Sequence, residues 1–299
     1  MQYTDMLAKM RDGNGFIAAL DQSGGSTPKA LKGYGIEEGS WRSDEEMFDL
    51  IHQMRSRIIT SPCFGSGKVI GAILFERTMD GTIDGKPTPQ ALVDRGIVPF
   101  IKIDKGLEAE ENGVQMMKPI PGLDALLQRA KSLGVFGTKE RSVINAANGA
   151  GIAVLVAQQF QIAKEVLAYG LMPIVEPEVN IKSADRAESD DLLLSAILEE
   201  LGEIPEGQQV MLKLSIPEQP GLFEPLISNP KVLRVVALSG GFSREEACQQ
   251  LAKNPGMIAS FSRALLSDLR AQQSDEEFNH TLGDAIDEIY EASTEKVPA

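Results

Sequence analysis

Lys213 lies inside the run Gln209-Val210-Met211-Leu212-Lys213-Leu214-Ser215, whose apolar residues predict a buried strand. Burying an ammonium is costly enough that the group sheds its proton or takes a counterion. A neutral amine attacks carbonyl carbon, so a lysine in this setting is a candidate for Schiff-base chemistry. A lysine paired with a carboxylate at a strand end is the other reading, and its company must decide between them. That company is polar and regularly placed. Asp21, Glu76-Arg77, Lys102 with Asp104 and Lys105, Glu176-Pro177-Glu178, Ser239-Gly240-Gly241 and Ser262-Arg263 each sit within or directly after an apolar run. Lysines and carboxylates converging at one place would shift each other's proton affinities. Two Ser/Gly elements, Ser23-Gly24-Gly25-Ser26 and Ser239-Gly240-Gly241, could bring backbone N–H groups close to an anion. Arg263 would add a bidentate cation beside the second. Two such cradles suit a substrate phosphorylated at both ends.

The elements that must position these residues are short apolar runs alternating with helical periods. Strands are predicted at Phe16–Asp21, Val69–Glu76, Val98–Asp104, Ser142–Asn145, Met172–Glu178, Val210–Leu214, Val232–Ser239 and Ile258–Ser262. Several are continuously apolar, as parallel strands covered on both faces should be. Helices are predicted at Asp44–Ile59, Leu123–Leu133, Gly151–Tyr169, Arg186–Leu201, Arg244–Lys253 and Glu276–Glu291. Eight strands with helices between them, and no linker or composition shift, predict an α/β protein: a single (β/α)8 TIM-barrel domain over residues 1–299. In that architecture the C-terminal strand ends form the active face, which is where the polar set falls. A doubly wound open sheet is the rival. It would be expected to carry a glycine-rich nucleotide loop, and neither G-x-G-x-x-G nor a Walker A sequence occurs.

Composition narrows the chemistry. A net charge of -14 argues against nucleic acid as a partner, and no apolar run is long enough for a membrane span. With only His52 and His280 present, an imidazole-built metal centre is not expected, nor is any cofactor. Cys63 and Cys248, far apart in the chain, suit a reducing compartment, and no signal peptide is read in the first residues, so a cytoplasmic location is expected.

Seven segments together resemble the class I fructose-1,6-bisphosphate aldolases, especially their shorter bacterial type. They are Ala18–Ser26, Ile73–Thr78, Pro99–Gly106, Met172–Glu178, Met211–Leu214, Leu238–Gly241 and Ser262–Leu265, in family order. The resemblance implies that Lys213 is the Schiff-base lysine, Glu176 the acid/base of imine formation, and Asp21 the acid/base at the cleaved bond. It implies catalytic support from Lys139 and Glu178, with Lys139 and Arg141 as the family's Lys-x-Arg pair on strand four. It implies phosphate or substrate contacts from Ser23, Ser26, Lys102, Arg141, Ser239, Gly240 and Arg263. The implied reaction is reversible cleavage of fructose 1,6-bisphosphate without a metal, in glycolysis and gluconeogenesis, on small phosphorylated substrates and in a possible homo-oligomer. A related ketose such as tagatose 1,6-bisphosphate, and a non-catalytic scaffold reusing the barrel, are the alternatives. The chain departs from the animal members at Gln22, where they usually have Glu, and at Ser262, where the family has Gly. Its tail, ending Lys296-Val297-Pro298-Ala299, also lacks their terminal tyrosine.

Overall fold

The computed structural model describes residues 1–298. The chain runs α1 (Tyr3–Asp12), β1 (Phe16–Leu20), α2 (Ser26–Gly33), α3 (Asp44–Thr60), β2 (Val69–Leu74), α4 (Glu76–Asp80), α5 (Thr88–Asp94), β3 (Val98–Lys102), α6 (Leu123–Ser132), β4 (Gly137–Ile144), α7 (Gly149–Ala168) and β5 (Met172–Val179). It continues through α8 (Arg186–Gly202), β6 (Val210–Ser215), α9 (Glu224–Ile227), β7 (Val232–Leu238), α10 (Arg244–Ala252), β8 (Ile258–Ala259), α11 (Arg263–Leu266) and α12 (Asp275–Thr294). A small hairpin, Thr82–Ile83 with Lys86–Pro87, precedes α5, and Val114–Gln115 adds antiparallel to the end of β4.

Strands β1 to β8 pair in chain order, each parallel to the last. Helices pack outside them, so this is the expected (β/α)8 barrel. The seam lies between β8 and β1, where no ladder forms among the described residues; the backbone bond from Ala19 N to Phe261 O (3.0 Å) spans it. Among the described residues no helix is long and apolar enough to cross a membrane.

The period of two along a strand explains how a site is built on an apolar barrel. The lower interior is one cluster that includes Ile17 and Ala19 of β1, Val98 and Phe100 of β3, Met172 and Ile174 of β5, and Met211 of β6. Met6 and Met10 of α1 join it and close the floor. Two residues further along the same strands the inward positions become Asp21, Lys102, Glu176 and Lys213. The apolar layer thus supports the charged layer. The outward-facing residues pack under the helices in a second, larger cluster that includes Ile101, Val175, Leu212 and Leu214.

The strand boundaries differ from expectation at informative places. The fourth strand starts at Gly137, not Ser142, and contains Lys139, Glu140 and Arg141. Three charged residues in succession hide a strand from any hydrophobic pattern, yet all three are buried or half-buried here. Glu76 does not end β2 but begins α4. The eighth ladder covers only Ile258–Ala259, so Ser262 and Arg263 follow it as a turn and a short helix.

Candidate active site

The C-terminal mouth of the barrel opens into a cavity of about 1070 Å³. All twelve residues that the resemblance marks as catalytic or substrate-binding line it: Asp21, Ser23, Ser26, Lys102, Lys139, Arg141, Glu176, Glu178, Lys213, Ser239, Gly240 and Arg263. Of the other polar residues expected at the strand ends, Glu76, Asp104 and Lys105 also line it, whereas Arg77 turns outward over the Phe48 ring.

Its centre is a buried ion-pair network. Lys213 Nζ stands 3.2 Å from Glu176 Oε1, with both side chains about 95% buried. The second oxygen of Glu176 is 3.0 Å from Lys139 Nζ, which also lies 2.6 Å from Asp21 Oδ2 and 4.0 Å from Asp104 Oδ2. Lys139 therefore joins the two carboxylates. Burial alone would strip its proton, but Asp21, Glu176 and Asp104 outweigh that and hold its pKa well above the ordinary lysine value. Burial likewise pushes Asp21 upward, and Lys139 and Lys213 reverse the shift, leaving Asp21 well below the ordinary carboxylate range. At neutral pH Asp21 is an ionised acceptor and Lys139 a fixed cation.

The main chain under Glu176 is also held. Gln159 of α7, fully buried, donates from Nε2 to the Glu176 carbonyl oxygen at 3.1 Å. One rim carries Lys102, whose Nζ donates to Asp104 Oδ1 at 2.6 Å and to the Asp104 carbonyl at 3.0 Å. Arg141 Nε donates to a Glu178 carboxylate oxygen, so those two candidates form a pair.

The two Ser/Gly elements reach the same mouth by different routes. Ser23 and Ser26 bond each other: Ser26 Oγ accepts from Ser23 N at 2.9 Å and donates to Ser23 O at 2.8 Å, folding the loop into the start of α2. After β7, Gly240 and Gly241 take φ values of 59° and 114°, which glycine alone adopts without strain. A methyl group on Gly241 would lie 3.8 Å from an Arg263 terminal nitrogen, which places that guanidinium beside the turn.

Sequence reasoning assigned no role in the site to Gln159, Asp104, Arg55, Gln22 or Ser262. Asp104 had a signal: it follows Lys102 by two along one strand direction. Arg55 had one too, since it falls among the apolar positions Met47, Ile51, Met54 and Ile58 of α3 and is fully buried. Its NH2 donates to the Gln22 carbonyl at 2.5 Å and its NH1 to Thr78 Oγ1 at 2.7 Å. Burial lowers its pKa to about 10, opposed by the nearby charge of Asp21. Gln22 and Ser262, known only as departures from a pattern, touch each other: Gln22 Nε2 donates to Ser262 Oγ at 2.5 Å.

Comparison with known proteins agrees with this architecture. An aldolase from Plasmodium falciparum, solved with TRAP and a small-molecule inhibitor, superimposes with a TM-score of 0.78 at 22% identity, covering 99% of this chain and 95% of its own. An archaeal fructose-1,6-bisphosphate aldolase, solved with its catalytic lysine covalently bound to the carbinolamine intermediate, gives a TM-score of 0.55 at 12% identity, covering 97% and 100%. At these identities the likeness is one of fold. The model of the "Fructose-bisphosphate aldolase class-I" family matches residues 5–213, from α1 to Lys213 itself. The chain belongs to the class I fructose-bisphosphate aldolase family.

Proposed function

We propose that this protein cleaves fructose 1,6-bisphosphate reversibly to dihydroxyacetone phosphate and glyceraldehyde 3-phosphate through a Schiff base on Lys213. The observation that carries the reading is the 3.2 Å approach of Lys213 Nζ to Glu176 Oε1 at the floor of the cavity. Lys213 attacks the C2 carbonyl once its proton has passed to Glu176, the nearest acceptor. Attack leaves an alkoxide beside a protonated nitrogen; Glu176 gives the oxygen the proton it holds, takes a second from the nitrogen, and returns that one as the hydroxyl leaves as water. The resulting iminium withdraws the electron pair of the C3–C4 bond. Asp21, kept ionised by Lys139, accepts the C4 hydroxyl proton as that bond breaks, and an enamine remains on Lys213. Protonation at C3 and hydrolysis release dihydroxyacetone phosphate and restore the amine.

Strand order supports one assignment of the two phosphates. The 1-phosphate is attached one carbon from C2, so it lies near Lys213 on β6. The neighbouring β7 and β8 supply Ser239, Gly240 and Arg263 for it. Lys102 on β3, with Ser23 and Ser26, is left for the 6-phosphate across the mouth. Lys139 and Glu178 support the reacting groups, and Arg141 is positioned by Glu178 to meet the sugar.

Borohydride reduction in the presence of dihydroxyacetone phosphate tests the reading. A covalent adduct on the peptide carrying Lys213 is expected. An adduct elsewhere, or none, overturns the Schiff-base assignment.

A further inference from the structure

The Gln22–Ser262 contact crosses the barrel seam, and Arg55 fixes its polarity. Arg55 NH2 faces both oxygens of Gln22, the carbonyl at 2.5 Å and Oε1 at 3.3 Å. Guanidinium has only donors, so Oε1 must face Arg55 and Nε2 must face Ser262. Nε2 also has only donors. Ser262 Oγ is therefore the acceptor at 2.5 Å, and its own proton points elsewhere. Ser262 precedes α11 but makes no cap with its side chain, and among the described residues its hydroxyl has no acceptor. Ser262 lines the cavity and is bonded in sequence to Arg263.

We propose that Ser262 is a further phosphate-binding residue of this chain, its hydroxyl turned toward the 1-phosphate beside Arg263 by Gln22, which Arg55 holds in turn. The inference rests on the aldolase reading above and deepens it by assigning a binding role to one residue and positioning roles to two. Arg55 is anchored independently through Thr78 Oγ1 at 2.7 Å, so the orientation is built into the contact of α3 with α4 before substrate arrives. A hydroxyl donating to a phosphate is a charge-assisted bond, and removing it should weaken binding about tenfold.

The test uses the full chain and two readouts, the KM for fructose 1,6-bisphosphate and the dihydroxyacetone phosphate concentration that half-saturates borohydride trapping. Ser262→Ala is expected to raise both about tenfold, with kcat changed less than threefold. Ser262→Thr, which keeps the hydroxyl, should stay within about threefold of the parent in both. Gln22→Met should raise both constants, and the Gln22→Met/Ser262→Ala pair should be no worse than the worse single variant, because both act through one bond. Unchanged constants in Ser262→Ala, an equal loss in Ser262→Thr, or multiplying effects in the pair overturn the proposal. A parent enzyme that forms no adduct with dihydroxyacetone phosphate overturns the aldolase reading itself, and the inference with it.

Discussion

Glu176 faces Lys213 across one step of the β5–β6 ladder, with Oε1 and Nζ 3.2 Å apart. The register that pairs Ile174 with Met211 and Val175 with Leu212 brings the two side chains level. The contact is thus a property of strand register rather than of a mobile loop, and the apolar residues below both strands hold it in place.

Glu176→Gln should keep this geometry while removing the proton acceptor. The expected fall in kcat is about 10²–10⁴-fold, the usual contribution of a positioned acid or base, with KM changed much less. Borohydride trapping should slow in parallel, since in the proposed mechanism imine formation itself needs the carboxylate. Retention of more than a tenth of the parent kcat would remove Glu176 from the proton transfers.

In the proposed mechanism, Asp21→Asn separates bond cleavage from imine formation. The variant is expected to trap dihydroxyacetone phosphate on Lys213 yet lose cleavage by at least about 10²-fold. It should also lose up to about 3 kcal/mol of stability, because Lys139 then retains Glu176 but not Asp21. The pH dependence has a definite sign. The folded-state pKa of Asp21 lies below its ordinary 3.8, so its stabilisation is complete above that value and is lost as pH falls toward the folded one. The stability gap between parent and variant, measured by denaturant titration, should therefore shrink from pH 5 to pH 3. A gap that widens would contradict the pairing with Lys139.

The barrel was legible because parallel strands buried on both faces leave continuous apolar runs, and the main helices carry a clear stripe. Strand β4 was harder to see. Lys139 and Arg141 face the mouth and Glu140 the helix layer, so the segment reads as a charged loop until its neighbours are known. The Ser/Gly turns and the lysine in its apolar run stood out by residue type. Arg55 and Gln159 carried only a faint signal, since each looks like a single interruption of a helix stripe. Their partners, Gln22 O and Glu176 O, are backbone atoms brought close only by tertiary packing.

Glu140 offers a gain in stability. It is fully buried on the outward face of β4, opposite Val175, and neither carboxylate oxygen has a hydrogen-bond partner among the described residues. Burial, then repulsion from Asp104, raises its pKa well above 4.5, with Lys139 opposing. Below that ordinary value both folded and unfolded chains carry the proton. Above it the unfolded chain ionises first, and the fold loses about 1.4 kcal/mol per pH unit until the folded pKa is passed. Glu140→Gln has no such loss. Its stability relative to the parent should rise from pH 5 to pH 8 in denaturant titrations; a difference independent of pH would show that Glu140 ionises normally in the fold.

Gly240 and Gly24 both adopt left-handed backbone, with φ of 59° and 51°, but only one is crowded. A methyl group on Gly24 would meet nothing within 4 Å, whereas on Gly240 it would lie 2.7 Å from Ile181 Cγ2. Gly24→Ala should therefore cost only the conformational penalty, about 1–2 kcal/mol. Gly240→Ala adds a steric conflict in the turn beside Arg263 and should be destabilised further, with the KM for fructose 1,6-bisphosphate raised about tenfold as the turn's amides move off the proposed phosphate position. Because the conflict is with one side chain, Ile181→Ala in the Gly240→Ala background should recover part of both losses. Equal destabilisation of the two alanine variants, or no recovery on trimming Ile181, would mean that backbone strain alone accounts for the glycine at 240.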